Sequence, residues 1–215
     1  MLKLWYDIST KGKKEVGNMK KYEKIINFVN KNDGIITRKE LLENGVSKYY
    51  IEKLIADNIL IRTTKGVYIK SNVIEDDYYV FQQRNTKTVF SYNTALYFLN
   101  ETERTPECMD VTVYSGYNVH RITQKVKVHY IKKEDLYLGA IKIKTPMGFE
   151  VISYNLERTL CDIIRTKDTG MDKEQTNKFI QKMFMKKKIN FNTLIKYAKK
   201  LNCEKKVNEI MEVLI

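Results

Sequence analysis

Between Thr37 and Ile69 the chain reads TRKELLENGVSKYYIEKLIADNILIRTTKGVYI, and the spacing within this stretch admits few folds. Thr37 followed by Glu40 has the form of a capping box, in which the hydroxyl accepts a backbone N–H of the first helical turn and the carboxylate reaches back to the cap. A helix starting at Arg38 then runs only to Asn44, because Gly45 supplies the left-handed residue that closes a helix without a Cβ clash. Val46 becomes a buried turn residue and Ser47 a second N-cap. Ile51, Leu54 and Ile55 recur on one face of a second helix, from about Lys48 to Asp57. Ile59 to Ile61 and Val67 to Ile69 are β-rich runs on either side of a turn containing Gly66, which predicts a hairpin. Two short helices at a steep angle followed by a hairpin make a winged helix-turn-helix, whose second helix enters a DNA major groove.

The flanking sequence extends this unit in both directions. Tyr22, Ile25, Ile26 and Val29 lie on one face of a helix over Lys20 to Asn30, and Ile35 and Ile36 supply a short third strand. Residues 1–18 lack periodicity and precede a second methionine, Met19, so either an upstream start codon or a disordered extension is expected. The winged helix is assigned to residues 19–72, with a polar connector at Lys70 to Glu75, and a second domain to residues 73–215. That domain alternates: a helix over Asp76 to Asn85, a strand at Thr88 to Phe90, and a Ser91-capped helix to about Asn100. Strand-like runs follow at Asp110 to Tyr114, Lys125 to Ile131, Ile141 to Thr145 and Phe149 to Tyr154, with turns at Ser115 to Asn118 and Pro146 to Gly148. Asn155 caps LERTLCDIIR, and helical periods return over Glu174 to Met185, Asn192 to Leu201 and Glu204 to Ile215. The predicted class is α+β, a winged helix followed by a small, mostly antiparallel sheet with a C-terminal helical tail.

Charge is unevenly placed. Lys and Arg total 39 against 26 Asp and Glu, a net +13. Residues 19–70 hold +5 of this and residues 165–215 hold +7, while residues 71–164 are at −1. A basic head on a helix-turn-helix suits a polyanion, whereas a Lys-rich tail also fits ordinary solvated helix faces. Cys108, Cys161 and Cys203 are odd in number and widely spaced, which suggests neither a disulfide framework nor a zinc site, and points to a reducing cytoplasm. No apolar run approaches the roughly 20 residues that span a bilayer, so no membrane association is expected.

On the second helix, Lys48, Tyr49, Glu52 and Lys53 lie off the apolar face and can point into a groove; a solvated helix face is the alternative. Tyr50 fits either the core or the surface. Arg38 and Lys39, at a helix N-terminus, suit phosphate contacts, and base reading falls to Lys48, Tyr49 and Lys53. Ser47 and the wing residues Arg62, Thr64 and Lys65 complete the candidate DNA-binding set. Signals for catalysis are few. His120 and His129 have no neighbour at ligand spacing, and there is no P-loop, GxGxxG or GxSxG. Asp110, Lys142 and Glu150 sit on or beside strands without the spacing of a metal nuclease, and Cys161 reads as a buried small residue. The expectation is a non-enzyme without metal or cofactor. Arg158 and Asp162, one helical turn apart beside Glu157, form either an ion pair fixing the helix to the sheet or part of a partner-binding site.

Taken together, RKELLENGVSKYYIEKLIADNILIRTTKGVYI, ERTLCDIIR and INFNTLIKYAKKLNCEKKVNEIMEVL resemble the AbiEi family, the antitoxin and autorepressor half of AbiE-type (type IV) toxin-antitoxin systems of abortive infection and phage defence. The resemblance runs from Met19 onward. It implies a winged helix binding inverted repeats in the protein's own promoter, and a C-terminal domain with antitoxin activity against a nucleotidyltransferase-like toxin, without need of a stable complex. It also implies that Arg38, Ser47, Lys48, Lys53, Arg62 and Lys65 face DNA. Asp57 and Asn58 stand where the family often has Gly, and Tyr49 and Tyr50 where it often has basic residues. A winged-helix-targeted nuclease and a ligand-sensing transcription factor are the alternatives.

Overall fold

The capping box read from the sequence is formed in full: Glu40 N–H donates to Thr37 Oγ1 at 3.2 Å, and Thr37 N–H donates to Glu40 Oε2 at 2.7 Å. It starts α2 (Arg38–Glu43), and Gly45, at φ +74°, carries the chain into α3 (Lys48–Ala56). Before them come α1, residues 18–31, and β1 (Ile35–Thr37); after them come β2 (Leu60–Thr64) and β3 (Val67–Lys70). The three strands form an antiparallel sheet in the order β1-β3-β2, with a register shift between Arg62 and Thr64. Ile25 and Val29 of α1, Leu41 of α2, Ile51 and Leu54 of α3 and Leu60 and Tyr68 of the wing make one core, as a winged helix requires.

This is a computed structural model, described over residues 18–32, 34–102, 104–120, 122, 125–166, 173–185 and 188–214. The expected N-terminal extension up to residue 17 lies outside the described residues, as do Asp33, expected to help close the first helix, and Lys186 and Lys187 of the C-terminal charge run. The chain divides into two compact units between Arg84 and Asn85. Helix α4 (Asp77–Arg84), which the sequence reading grouped with the second part, therefore belongs with the first. It packs against β3, and Asp76 Oδ1 accepts Tyr79 N–H at 3.0 Å to start it.

The second unit holds β4 (Val89–Phe90), α5 (Tyr92–Phe98), β5 (Met109–Tyr114), β6 (Val126–Ile131), a 3-10 turn at Lys133–Asp135, β7 (Ala140–Lys144) and β8 (Glu150–Tyr154). Four helices follow: α6 (Leu156–Arg165), α7 (Lys173–Met185), α8 (Phe191–Lys200) and α9 (Glu204–Leu214). The class is α+β with a helical C-terminus. The five-stranded sheet, ordered β6-β5-β4-β8-β7, alternates in sense: β4 with β5 and β7 with β8 are antiparallel, β5 with β6 and β4 with β8 parallel. The Pro146 to Gly148 turn closes the β7-β8 hairpin, but the turn after Ser115 opens a longer connection that brings β6 back parallel to β5. Helix α6 is the hub of the helical layer, packing on α5, α8 and α9, with Leu160, Cys161 and Ile163 buried. Among the described residues no helix is long and apolar enough to cross a membrane.

Candidate nucleic-acid interface

Helix α3 turns Tyr50, Ile51 and Leu54 into the core of the first unit. That leaves Ser47, Lys48, Tyr49 and Glu52 facing outward, with Tyr49 70% exposed. Ser47 takes the extended N-cap backbone, but its hydroxyl makes no capping bond. Tyr50, ambiguous in the sequence, is a core residue: its ring stacks on Tyr22 of α1 at 5.9 Å between centroids, and Tyr49 meets it edge-on at 5.3 Å. Lys48 and Glu52 are one helical turn apart and share the outward face.

Two of the expected DNA contacts are engaged inside the protein. The Lys53 ammonium lies 4.2 Å from the centroid of the Tyr22 ring, a cation–π contact that draws it off the outward face toward α1. The Tyr22 hydroxyl donates to Asp57 Oδ2 at 2.6 Å. Burial and the Asp57 carboxylate push this phenol well above its usual range. Arg62 donates from Nη2 to Glu52 Oε1 at 3.2 Å, and its guanidinium carbon lies 5.6 Å from the Tyr68 ring centroid. The wing strand is therefore fastened directly to the outward face of α3.

The remaining cations are open. Arg38 N–H donates to Gly66 O at 2.7 Å, so the start of α2 is held against the tip of the wing, where Arg38 and Lys65 both have exposed side chains. Lys39 is exposed too, its ammonium 3.8 Å from Glu43 in a loose surface pair that leaves it accessible to phosphate. Thr64 is half-buried opposite Val67. The first unit thus presents Arg38, Lys39, Lys48 and Lys65 as open cations around an exposed tyrosine, with Glu52 and Arg62 as a bonded pair between helix and wing. The sequence places Glu52 on this side of α3 but does not show its bond to Arg62, because that wing partner is ten positions away.

The candidates in the second unit occupy a different setting. Arg158 and Asp162 are 0% and 1% exposed, so neither reaches the surface, and of the two readings left open the internal ion pair is the one present. Arg158 Nε donates to Asp162 Oδ2 at 2.9 Å, Nη1 to the carbonyls of Asp135 and Leu138 at 2.9 and 2.8 Å, and Nη2 to Tyr154 Oη at 3.3 Å. Tyr154 Oη in turn donates to Leu136 O at 2.7 Å. The guanidinium therefore ties the 3-10 turn to α6. Burial raises the Asp162 pKa although Arg158 and Arg165 oppose the shift. Glu157 is half-buried and accepts Asn190 N–H at 2.9 Å, joining α6 to the start of α8.

Beside this pair lies a cluster that the sequence reading did not assemble. His129 Nε2 is 2.7 Å from Asp110 Oδ1, across the parallel β5-β6 pairing, and the Tyr92 ring stacks on the imidazole at 3.8 Å. Tyr92 opens α5 at φ +46°, a conformation that costs a bulky residue of order 1–3 kcal/mol and persists only when its surroundings impose it. Burial raises the Tyr92 phenol to about 12, with the Asp162 charge adding to the effect and Arg165 and Arg158 opposing it. Among the described residues no group of His, Cys, Asp and Glu is arranged to hold a metal ion.

Residues 23–69 match the family model described as a transcriptional regulator, AbiEi antitoxin. The matched span takes in most of α1, all of α2 and α3, and the wing as far as Ile69 of β3. No curated protein matches the sequence. Among solved structures, the crystal structure of the RV2827C protein from Mycobacterium tuberculosis is similar at 12% identity and a TM-score of 0.43, covering 88% of this chain and 79% of that one.

Proposed function

We propose that this chain, which carries the head of an AbiEi antitoxin transcriptional regulator at residues 23–69, is the autorepressor and antitoxin of a bacterial type IV toxin-antitoxin system. In this reading α3 enters the major groove of inverted repeats in the protein's own promoter. Arg38, Lys39 and Lys65 contact phosphates, and Lys48 and Tyr49 face base edges. The second unit counteracts a nucleotidyltransferase-like toxin in the cytoplasm without forming a stable complex and without catalysis of its own.

The observation that supports this most directly is the open cationic face of the first unit: Lys48 and Tyr49 exposed on α3, with Arg38 and Lys65 joined at the wing tip by the Arg38 N–H to Gly66 O bond. Phosphate neutralisation of this kind makes affinity fall steeply with salt. Fluorescence anisotropy with the DNA immediately upstream of the gene, set against a shuffled duplex, tests the head. Specific binding that weakens with salt is expected, and equal affinity for both duplexes refutes autorepression. Co-expression with the neighbouring gene tests the second unit. Growth arrest by that gene should be relieved by the full chain but not by residues 1–84, and relief by residues 1–84 alone would remove the antitoxin role from the second unit.

A further inference from the structure

A carboxylate at the centre of a DNA-facing helix is out of place on electrostatic grounds. Facing a phosphate polyanion, it weakens binding to every sequence alike, and a helix selected only for affinity would not carry it. Glu52 is nonetheless on the outward stripe of α3, one turn beyond Lys48 and three residues beyond Tyr49, with its side chain 54% exposed. Its conformation is set by Arg62, whose Nη2 donates to Oε1 at 3.2 Å from the adjoining wing strand. Arg62 is itself held from behind by the ring of Tyr68, a residue only 3% exposed. One carboxylate oxygen is thus engaged by Arg62, and among the described residues the other meets no hydrogen-bond donor.

In the major groove the hydrogen-bond donors that base edges offer are the amino groups of cytosine and adenine, and carboxylates pair with the cytosine N4 amine. Adenine places an N7 acceptor beside its amine, which repels an acceptor-only side chain, whereas cytosine offers its donor without one. We propose that Glu52 is a specificity-determining residue that accepts the N4 amine of a cytosine in the operator half-site, and that Arg62 is its positioning residue rather than a phosphate contact. The wing then acts on sequence choice through the helix. Arg62 fixes the carboxylate rotamer and offsets its charge, so that the repulsion falls mainly on half-sites lacking the cytosine. This rests on the reading of the head as DNA-binding and adds to it the base that is read and the residue that reads it.

The test is selection from a pool of duplexes with a randomised core, using the full chain as wild type, Glu52→Gln, Glu52→Ala and Arg62→Ala. The wild type should enrich a cytosine at one position of each half-site. Glu52→Gln is close in size and brings an amide donor suited to adenine, so it should move that position to adenine. Glu52→Ala should flatten that position only, lowering discrimination there by about tenfold or more, while binding to the unselected pool becomes tighter. Arg62→Ala should keep the cytosine but reduce its enrichment, and Arg62→Lys should restore part of it, which a purely structural role would not produce. Circular dichroism melting of each variant confirms a folded head. An unchanged consensus in Glu52→Gln and Glu52→Ala with DNA binding retained overturns the assignment of Glu52 alone. Failure of the wild type to retain any duplex overturns the DNA-binding reading beneath it.

Discussion

Arg158 Nε and Asp162 Oδ2 meet at 2.9 Å in the interior of the second unit, and every other donor group of that guanidinium is also occupied. Arg158 links α6 to the 3-10 turn and, through Tyr154, to the end of β8. Burying two charges is costly, and their mutual attraction offsets that cost only with further hydrogen bonds, which Arg158 makes to Asp135 O, Leu138 O and Tyr154 Oη. The Tyr154 ring adds a face 4.1 Å from the guanidinium carbon.

Removing one member of this pair should be far worse than removing both. Arg158→Met leaves Asp162 buried with Arg165, at 3.4 Å, as its remaining ion-pair partner among the described residues, and takes a donor from two carbonyls. The loss should be about 3–5 kcal/mol. The double variant Arg158→Met with Asp162→Leu removes the unpaired charge, and its loss should be clearly smaller than that of Arg158→Met alone. Urea denaturation followed by circular dichroism measures both. Equal losses would put the cost in the carbonyl bonds that both variants lose rather than in an uncompensated buried charge.

Gly139 tests the same region from the backbone side. It sits at φ +76°, and a Cβ there would lie 2.6 Å from Arg158 Cβ and 3.0 Å from Asn155 Oδ1, so both α6 and its cap would have to shift. Gly148, at φ +91°, has nothing within 4 Å of the corresponding position. Gly148→Ala should therefore show the backbone strain alone, of order 1 kcal/mol, and Gly139→Ala should be distinctly less stable. Thermal melting of the two variants side by side decides it, and matching melting temperatures would contradict the close packing around Arg158.

What the sequence made legible was short in range. Thr37 with Glu40, Gly45, and the hairpin about Gly66 are all set by contacts within four or five residues, and each stands where the spacing placed it. The Arg158 and Asp162 spacing was equally visible, but the same four-residue interval describes a solvated surface pair. Only burial by the sheet and by α8 distinguishes the two. The contact of Lys53 with Tyr22 is illegible in the sequence for a related reason: the tyrosine lies on another helix, and nothing near Lys53 in sequence announces it. The parallel pairing of β5 with β6, and of β4 with β8 through a single Phe90 to Ser153 pair, is a matter of tertiary packing. Strand alternation alone does not report sense. The His129–Asp110 pair escaped notice because it depends on that parallel register.

Under the proposed function, Lys48 and Lys53 should behave differently despite sharing α3. Lys48 is exposed and open, whereas the Lys53 ammonium sits 4.2 Å over Tyr22. Lys48→Ala should lower affinity for the upstream duplex, narrow its advantage over a shuffled one as a lost base contact would, and reduce the salt slope by up to about one because a cation leaves the phosphate field. Lys53→Ala should leave the slope nearly unchanged and instead lower the melting temperature slightly. Anisotropy titrations at several salt concentrations separate the two effects, and an equal drop in slope for both would place Lys53 on the DNA.

The Tyr92 phenol, raised from 10.0 to about 12 chiefly by burial, gives the second unit an alkaline limit. Its neutral form is favoured in the folded chain, so between pH 10 and about 12 the unfolded chain gives up a proton that the folded chain retains. Folding stability from this group is fully present below pH 10 and is lost as pH rises through about 12. Tyr92→Phe keeps the ring over His129 and removes the titrating hydroxyl. Denaturant midpoints measured from pH 9 to pH 12 should fall more steeply for the wild type than for Tyr92→Phe. Parallel curves would mean that the phenol titrates alike in the folded and unfolded chains.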